Sequence, residues 1–306
     1  MEVLVTGASG FIGSALTTAL AAAGHRPVAA LRGGNVPTGV DAIAWDPEAG
    51  TVDSAALEGI GAAVHLAGAG IGDRRWTPAR KALVVESRTR GTHLLASTLA
   101  GLGRKPTVLV SSSAVGYYGD RGADLLTEAA GAGDDFAARL CVEWEEAAQP
   151  VRDAGIRLVT IRTGIVLGRG GMLQRVLPAF RFGLGGRLGS GRQYLSWISL
   201  VDEVAAILYA LDHPALAGPA NLTAPTPVTN AEFTAALGRV LHRPTLLPTP
   251  LAPLRALYGS ELVETLLLGS QRAFPDALAA AGFEFTFPTL EGALSDVIDG
   301  RGRHAA

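Results

Sequence analysis

Thr6-Gly7-Ala8-Ser9-Gly10-Phe11-Ile12-Gly13 decides how the rest of the chain is read. The apolar run Val3-Leu4-Val5 precedes it, and the Ala/Leu-rich stretch Phe11–Ala23 follows, closed by the stop signal Gly24. That order is strand, tight turn, helix. Gly7 permits the turn, Gly10 lets the backbone approach a pyrophosphate, and Gly13 lets the helix pack close to the strand. The first helical turn then offers free N–H groups and the positive end of its dipole to phosphates. Thr6, Gly7, Ser9, Gly10, Phe11, Ile12 and Gly13 are the expected phosphate-side residues of a dinucleotide site.

The end of the next strand, Pro27–Leu31, selects the cofactor. A site for NAD wants Asp or Glu there to hold the ribose 2′-hydroxyl. Leu31-Arg32-Gly33-Gly34 offers a guanidinium instead, which suits the 2′-phosphate of NADP. A charge-assisted hydrogen bond of this kind contributes roughly 1.5–3 kcal/mol, about ten- to a hundredfold in affinity. Asp46, after the short strand Ala42–Trp45, is the expected acceptor for the adenine amino group. His65-Leu66-Ala67-Gly68-Ala69-Gly70 ends a further strand. Leu66, Ala67 and Gly68 would let a ribose lie on the backbone, while His65 reads as a packing residue.

Composition sets the outer bounds. The chain has 306 residues, 48% hydrophobic and 18% charged, with a net charge of −2. That is a globular composition without the basic face of a nucleic-acid binder. The single cysteine, Cys141, excludes an intrachain disulfide framework and a cysteine-built zinc site. No two of the six histidines lie three to five residues apart, so no metal site is expected. No apolar run approaches the roughly 18 residues of a membrane span. The start Met1-Glu2-Val3-Leu4-Val5 reads as a buried strand and not a signal peptide, so a soluble cytoplasmic protein is expected. Of 26 basic residues only Lys81 and Lys105 are lysines, which leaves few candidates for a lysine proton relay.

Up to Gly164 the pattern predicts strands Val3–Thr6, Pro27–Leu31, Ala42–Trp45, Ala63–Leu66, Thr107–Ser111 and Arg157–Ile161. Helices Phe11–Ala23, Pro78–Leu102 and Asp135–Ala154 lie between them, the last interrupted near Pro150. Alternation of this kind gives an α/β fold, a Rossmann-type doubly wound parallel sheet covered by helices on both faces. Beyond Gly164 the reading is helix Met172–Phe182, a glycine-rich loop Gly183–Gly191, strand Tyr194–Ile198, helix Val201–Leu211 and strand Asn221–Thr223. Helices Asn230–Leu241, Leu254–Leu268, Pro275–Ala281 and Leu290–Ile298 follow, and Arg301–Ala306 reads as a frayed end. Residues 1–165 are expected to form the NADP-binding domain, with 194–223 returning to it. Residues 166–193 and 224–300 are expected to form a small, mostly helical C-terminal substrate lobe.

These stretches, with Val110-Ser111-Ser112-Ser113-Ala114-Val115-Gly116-Tyr117-Tyr118-Gly119, resemble the extended short-chain dehydrogenase/reductase superfamily. The likeness runs through Arg162-Thr163-Gly164-Ile165-Val166-Leu167, Gly189-Ser190-Gly191-Arg192-Gln193, Ser196-Trp197-Ile198 and Gly269-Ser270-Gln271-Arg272. It points to the atypical epimerase-family branch, the YfcH-like proteins, over nearly the whole chain. The resemblance implies an NADP site and a substrate lobe. It carries the catalytic serine onto Ser113, which would hydrogen-bond a substrate carbonyl or hydroxyl. It brings Arg162, Thr163 and Gly164 past the nicotinamide, and Gln193, Trp197 and Asp202 to where the lobe closes on substrate. By analogy it also implies a homodimer.

One departure is serious. The superfamily's acid/base is a tyrosine with a lysine four residues later, whose ammonium lowers the phenol pKa and holds the nicotinamide ribose. No tyrosine here has a lysine four residues on; Phe136 and Leu140 stand at those positions. Three readings stay open. Catalysis persists with Tyr117 or Tyr118 as substitute acid and Arg162 supplying the missing positive charge, or it needs only hydride transfer and an electrostatic clamp, with water as proton source. The chain is a sugar-nucleotide epimerase-like isomerase. Or it binds NADP without turnover, as a sensor or scaffold. Cys141 and Trp144 read as core, and Glu145 as a solvated face. Asp73-Arg74-Arg75-Trp76 reads as a lid or a solvated loop. Arg187, Arg192 and Arg272 read as contacts for an anionic small-molecule substrate or as surface charge.

Overall fold

The computed structural model describes residues 1–32 and 40–300. Gly33 and Gly34 of the cofactor-selecting stretch, and the tail 301–306, lie outside the described residues. Eight strands form the main sheet: β1 Glu2–Thr6, β2 Arg26–Leu31, β3 Asp41–Asp46, β4 Thr51–Val52, β5 Ala62–His65, β6 Val108–Ala114, β7 Arg157–Thr163 and β8 Gly218–Leu222. Their order is β8-β7-β6-β5-β1-β2-β3-β4, parallel throughout except for the antiparallel edge strand β4. The strand order turns back at β1, between β2 and β5. In an open α/β sheet the crevice beyond the carboxyl ends at such a point is where ligands bind.

The apolar runs are continuous because both faces of the sheet are covered. Alternate residues of β1 point to opposite sides. Val3 and Val5 join Val64, Val110 and Val159 under α1 (Phe11–Ala22) and α6 (Leu200–Asp212). Leu4 joins Ala63, Leu109 and Leu158 under α2 (Pro78–Gly101), with α4 (Gln149–Asp153) beside it. Thr77 caps α2 through Arg80 N, with Pro78 in its first turn, and Asp135 caps α3 (Phe136–Glu146) through Ala138 N. A separate apolar core lies C-terminal to these. It joins Leu173 and Phe180 of α5 (Gly171–Arg181), Phe233 and Leu237 of α7 (Asn230–Leu241), Trp197 and Leu294.

Local breaks depart from the sequence reading. The segment expected as one strand over 194–198 is split at Ser196, whose hydroxyl donates to Gln271 O and accepts from Ala273 N. The helix expected over 254–268 stops at Tyr258, because Gly259 takes φ +85°, and a widened turn then spans Val263–Leu268. The helix expected over 135–154 is two helices, and Pro150 opens the second. Among the described residues no helix is long and apolar enough to cross a membrane, and no cluster of His, Cys, Asp or Glu is placed to hold a metal.

Candidate functional site

The glycine loop is built from backbone approaches that side chains would block. Gly7 takes φ +71°, and Gly10 N donates to Gly7 O at 2.9 Å. A Cβ on Gly13 would lie 2.1 Å from Gly7 O. Gly10 precedes α1 without a side-chain cap, so no side chain occupies the N–H groups of the first turn. That cradle fits a pyrophosphate. Phe11 ties the loop to a second glycine cluster: a Cβ on Gly168 or Gly170 would meet its ring at 2.7 and 2.6 Å. Ser9 is exposed beside the loop and Ile12 packs against the core. Thr6 departs from expectation. It is fully buried, and its hydroxyl meets His65 Nδ1 at 2.7 Å and accepts from Leu66 N and Ala67 N. It therefore fastens the start of the Leu66–Gly68 loop to the end of β1. Burial, with the nearby Arg88 charge, pushes His65 down to about 4, so its ring is neutral.

At the adenine end, Arg32 is exposed and its Nη1 donates to Glu48 Oε1 at 2.9 Å. Asp46 Oδ1 accepts from Glu48 N and Ala49 N, so it shapes the turn that presents Glu48. That turn was not read from the sequence. An incoming 2′-phosphate would compete with Glu48 for Arg32.

The sheet register sets Ser113 of β6, Arg162 of β7 and Asn221 of β8 side by side. Neighbouring strands are about 4.8 Å apart, which brings the three side chains into one group. Ser113 Oγ donates to Glu145 Oε1 at 2.7 Å. Arg162 grips the same carboxylate with Nε on Oε1 and Nη2 on Oε2, each at 2.9 Å. Its Nη1 donates to the Tyr118 hydroxyl, which donates onward to Asn221 Oδ1 at 2.7 Å. Burial disfavours the Arg162 charge, but the hydrogen bonds and charge of Glu145 outweigh this and raise its pKa. The Arg162 guanidinium also lies 3.4 Å from the centroid of the Tyr117 ring.

Glu145 is the residue that sequence reasoning missed, having been taken for solvated surface. The signal was its place four residues after the core residue Cys141, hence on the same helical face. Tyr118 corrects a second expectation. It is 0% exposed, burial raises its phenol pKa, and its hydroxyl is engaged on both sides. It holds Arg162 and Asn221 in place and is not free to act as an acid. Tyr117 remains half-buried beside the group. Cys141 is buried, and burial followed by the Glu145 charge pushes its thiol up to about 12. Thr163 donates to Glu203 Oε1 at 2.8 Å, and a Cβ on Gly164 would lie 2.5 Å from Ser196 O.

The expected substrate residues all turn inward. Gln193 Nε2 donates to Leu188 O and Leu267 O. Trp197 is core, its indole N–H on Thr226 O. Asp202 is buried, accepts from Ser199 Oγ, and holds Thr286 N and Phe287 N. The bonds of Gln193 Nε2, Trp197 Nε1 and the Asp202 carboxylate tie distant segments of the chain together. Arg187 folds onto Gly189 O and Ser190 O, Arg272 lies over Tyr194, and Arg192 is exposed. The segment Asp73–Trp76 is pinned: Arg175 holds Asp73 and Gly72 O, and Trp76 Nε1 donates to Ile71 O. Phe136 packs edge-on to Trp76 at 4.8 Å, and Leu140 is 2% exposed.

Comparison with known proteins agrees with this geometry. The family model described as "NAD dependent epimerase/dehydratase family" matches residues 3–222, and a domain of unknown function, DUF1731, matches 249–297. The chain is 48% identical over 293 residues to the epimerase family protein Mb2239 of Mycobacterium bovis, covering 95% of this chain and 96% of that one. It is 37% identical to the human epimerase family protein SDR39U1, covering 97% of this chain and all of the relative. A crystal structure of human SDR39U1, isoform 2, with NADPH superimposes with a TM-score of 0.86 at 35% identity, over 98% of this chain and 99% of that chain. A nucleoside-diphosphate sugar epimerase from Corynebacterium glutamicum gives a TM-score of 0.79 at 34% identity, over 97% of this chain and 58% of that chain. With the glycine cradle, the sheet order and a match over most of its length, the chain belongs to the NAD dependent epimerase/dehydratase family.

Proposed function

We propose that the protein is an NADP(H)-dependent oxidoreductase of the atypical short-chain dehydrogenase/reductase type, acting on a small hydroxyl or carbonyl compound. The glycine cradle, the open first turn of α1 and the NADPH bound to the human relative support the cofactor. Gly7, Gly10 and Gly13 would hold its pyrophosphate and Arg32 its 2′-phosphate. When bound, it supplies or accepts a hydride.

The observation that carries the reading is the Ser113–Glu145 hydrogen bond at 2.7 Å, clamped by Arg162. With its own proton on the carboxylate, Ser113 keeps its oxygen lone pairs as acceptors for a substrate hydroxyl. As an alcohol loses its hydride, its hydroxyl proton passes to Ser113 and the Ser113 proton passes to Glu145. In the reverse direction the carbonyl gains hydride at carbon and a proton at oxygen along the same route. Arg162 keeps Glu145 oriented but, always charged, moves no proton itself.

The test is a nicotinamide-fluorescence titration with NADPH and NADH for wild type and Arg32→Ala, followed by a carbonyl panel. Wild type should prefer NADPH, and the preference should fall ten- to a hundredfold in the variant. Turnover should be lost in Glu145→Gln with NADPH binding retained. Equal affinity for the two nucleotides would revive an NAD-dependent epimerase. A second reading, binding without turnover, is favoured by the apolar Phe136 and Leu140 at the acid/base positions. NADPH binding with no turnover on any panel member would select it.

A further inference from the structure

Large apolar side chains are exposed unevenly over the surface. Leu246 is 89% exposed, Phe182 80%, Leu247 77% and Leu184 74%. These four belong to two segments that the fold lays side by side. One leaves the end of α5; the other follows α7 and leads into α8 (Leu251–Tyr258). Arg243 Nε donates to Arg181 O and Thr249 N to Arg187 O, each at 2.9 Å. A Cβ on Gly183 would touch the Pro244 ring at 3.8 Å, and one on Gly186 would lie 1.7 Å from Leu247 O. The two backbones are therefore in direct contact. α8 continues the face: it has no buried residue, and Leu257 is exposed. Single exposed apolar residues are ordinary on a folded surface, but a cluster of them marks a contact site.

The charge around this cluster has one sign. Residues 154–201 hold seven arginines and no Asp or Glu. Residues 233–260 hold three arginines and a histidine, again with no Asp or Glu. The whole chain has a net charge of −2, so the cationic character is local. Arg239 and Arg255 are paired with Glu291 and Glu264. Arg181, Arg187, Arg192 and Arg243 are exposed, and among the described residues no carboxylate lies within ion-pair distance of them. The apolar tips thus stand among cations that nothing nearby neutralises.

We propose that this face docks on an anionic phospholipid bilayer, with Phe182, Leu184, Leu246 and Leu247 entering the headgroup layer and the arginines beside them on lipid phosphates. Protruding apolar side chains flanked by cations are what an interfacial contact needs, and a bilayer requires no shape-matched pocket. Anionic headgroups supply the charge that the face lacks. A second copy of the chain fits less well, because an isologous contact would set one arginine-rimmed face against another. A nucleic-acid backbone would satisfy the arginines but would leave the leucines in water. The contact is peripheral, since among the described residues no helix is long and apolar enough to cross a membrane.

The experiment sediments the full chain with vesicles of phosphatidylcholine alone, or with about 30% phosphatidylglycerol, in about 0.05 M and about 0.5 M salt. Wild type should bind the anionic vesicles at least tenfold more tightly than the neutral ones, and lose most of that binding in the higher salt. Leu246→Ser with Leu247→Ser should weaken anionic-vesicle binding at least tenfold, and so should Arg181→Gln with Arg192→Gln. All four residues are exposed, so the melting temperature without lipid should not change. Leu83→Ser, at an exposed leucine on α2, should bind vesicles as wild type does. Should the leucine pair not fold, Phe182→Ser with Leu184→Ser takes its place. No sedimentation with anionic vesicles overturns the proposal, as does full binding by the leucine pair. Sedimentation equilibrium without lipid tests the rival occupant: a dimer that the leucine pair dissolves gives the face to a second copy and overturns the proposal too.

Discussion

The two ends of the site are built by different means. At β1 and α1, the proposed site rests on missing side chains: glycine carbonyls and N–H groups approach where any Cβ would intrude. At β6, β7 and α3 it rests on paired charge: Glu145 and Arg162 satisfy one another and hold Ser113. A backbone-built site is broken by adding an atom. A charge-built site is broken by removing one partner and is tolerant when both go together.

The largest effect should separate these cases. Arg162→Met strands Glu145 and should cost about 3–4 kcal/mol in urea unfolding, while Arg162→Met with Glu145→Met should recover most of it. A double variant as unstable as the single one would break the comparison. Gly13→Ala should cost about 2–3 kcal/mol, since its Cβ would lie 2.1 Å from Gly7 O, and it should abolish dinucleotide binding. Arg162→Met, by contrast, should leave the affinity for adenosine 2′,5′-bisphosphate unchanged. Calorimetry on the two variants checks the contrast.

A third effect concerns buried Glu203. Burial raises it to about 8, against only one hydrogen bond, from Thr163, that lowers it. It is neutral in the folded protein while the unfolded chain ionises it, so its contribution is full at low pH and is lost as pH rises through 8. His65 titrates near 4 folded and near 6.5 unfolded, so it has little influence above pH 6.5. Stability measured from pH 6.5 to 8.5 should therefore fall by on the order of 1–2 kcal/mol and be flat in Glu203→Gln. A fall that persists in the variant would remove Glu203 as its source. The smallest effect is at the adenine end: Glu48→Ala frees Arg32 and should tighten NADPH about threefold, the scale of an exposed ion pair. A weaker NADPH complex in that variant would show that Glu48 supports Arg32 and does not compete with it.

The backbone-built end was readable because its rule is local. Glycine spacing, the strand before it and the helix after it lie within one short stretch. The charge-built end was only partly readable. Ser113 and Arg162 were found by likeness, but their pairing is a matter of sheet register, and Glu145 reaches them from a helix 32 positions after Ser113. Asp202 was misread despite a local signal. Ser199-x-x-Asp202 is a helix-capping pattern, and Asp202 N indeed donates to Ser199 Oγ. Its likeness to a substrate-lobe position outweighed a plainer physical reading.

The strap from Gly70 to Trp76 is held unequally at its two ends. Its hold on α5 is the Arg175–Asp73 pair and one bond to Gly72 O, both exposed, and nearby Lys81 ties the start of α2 to Glu261. Exposed pairs of this kind contribute roughly 0.2–1 kcal/mol each and are weakened by salt. The strap is therefore a latch with one salt-sensitive end: dilute buffer holds Asp73 to α5, and added salt loosens that hold while the buried Trp76 keeps the other end in place.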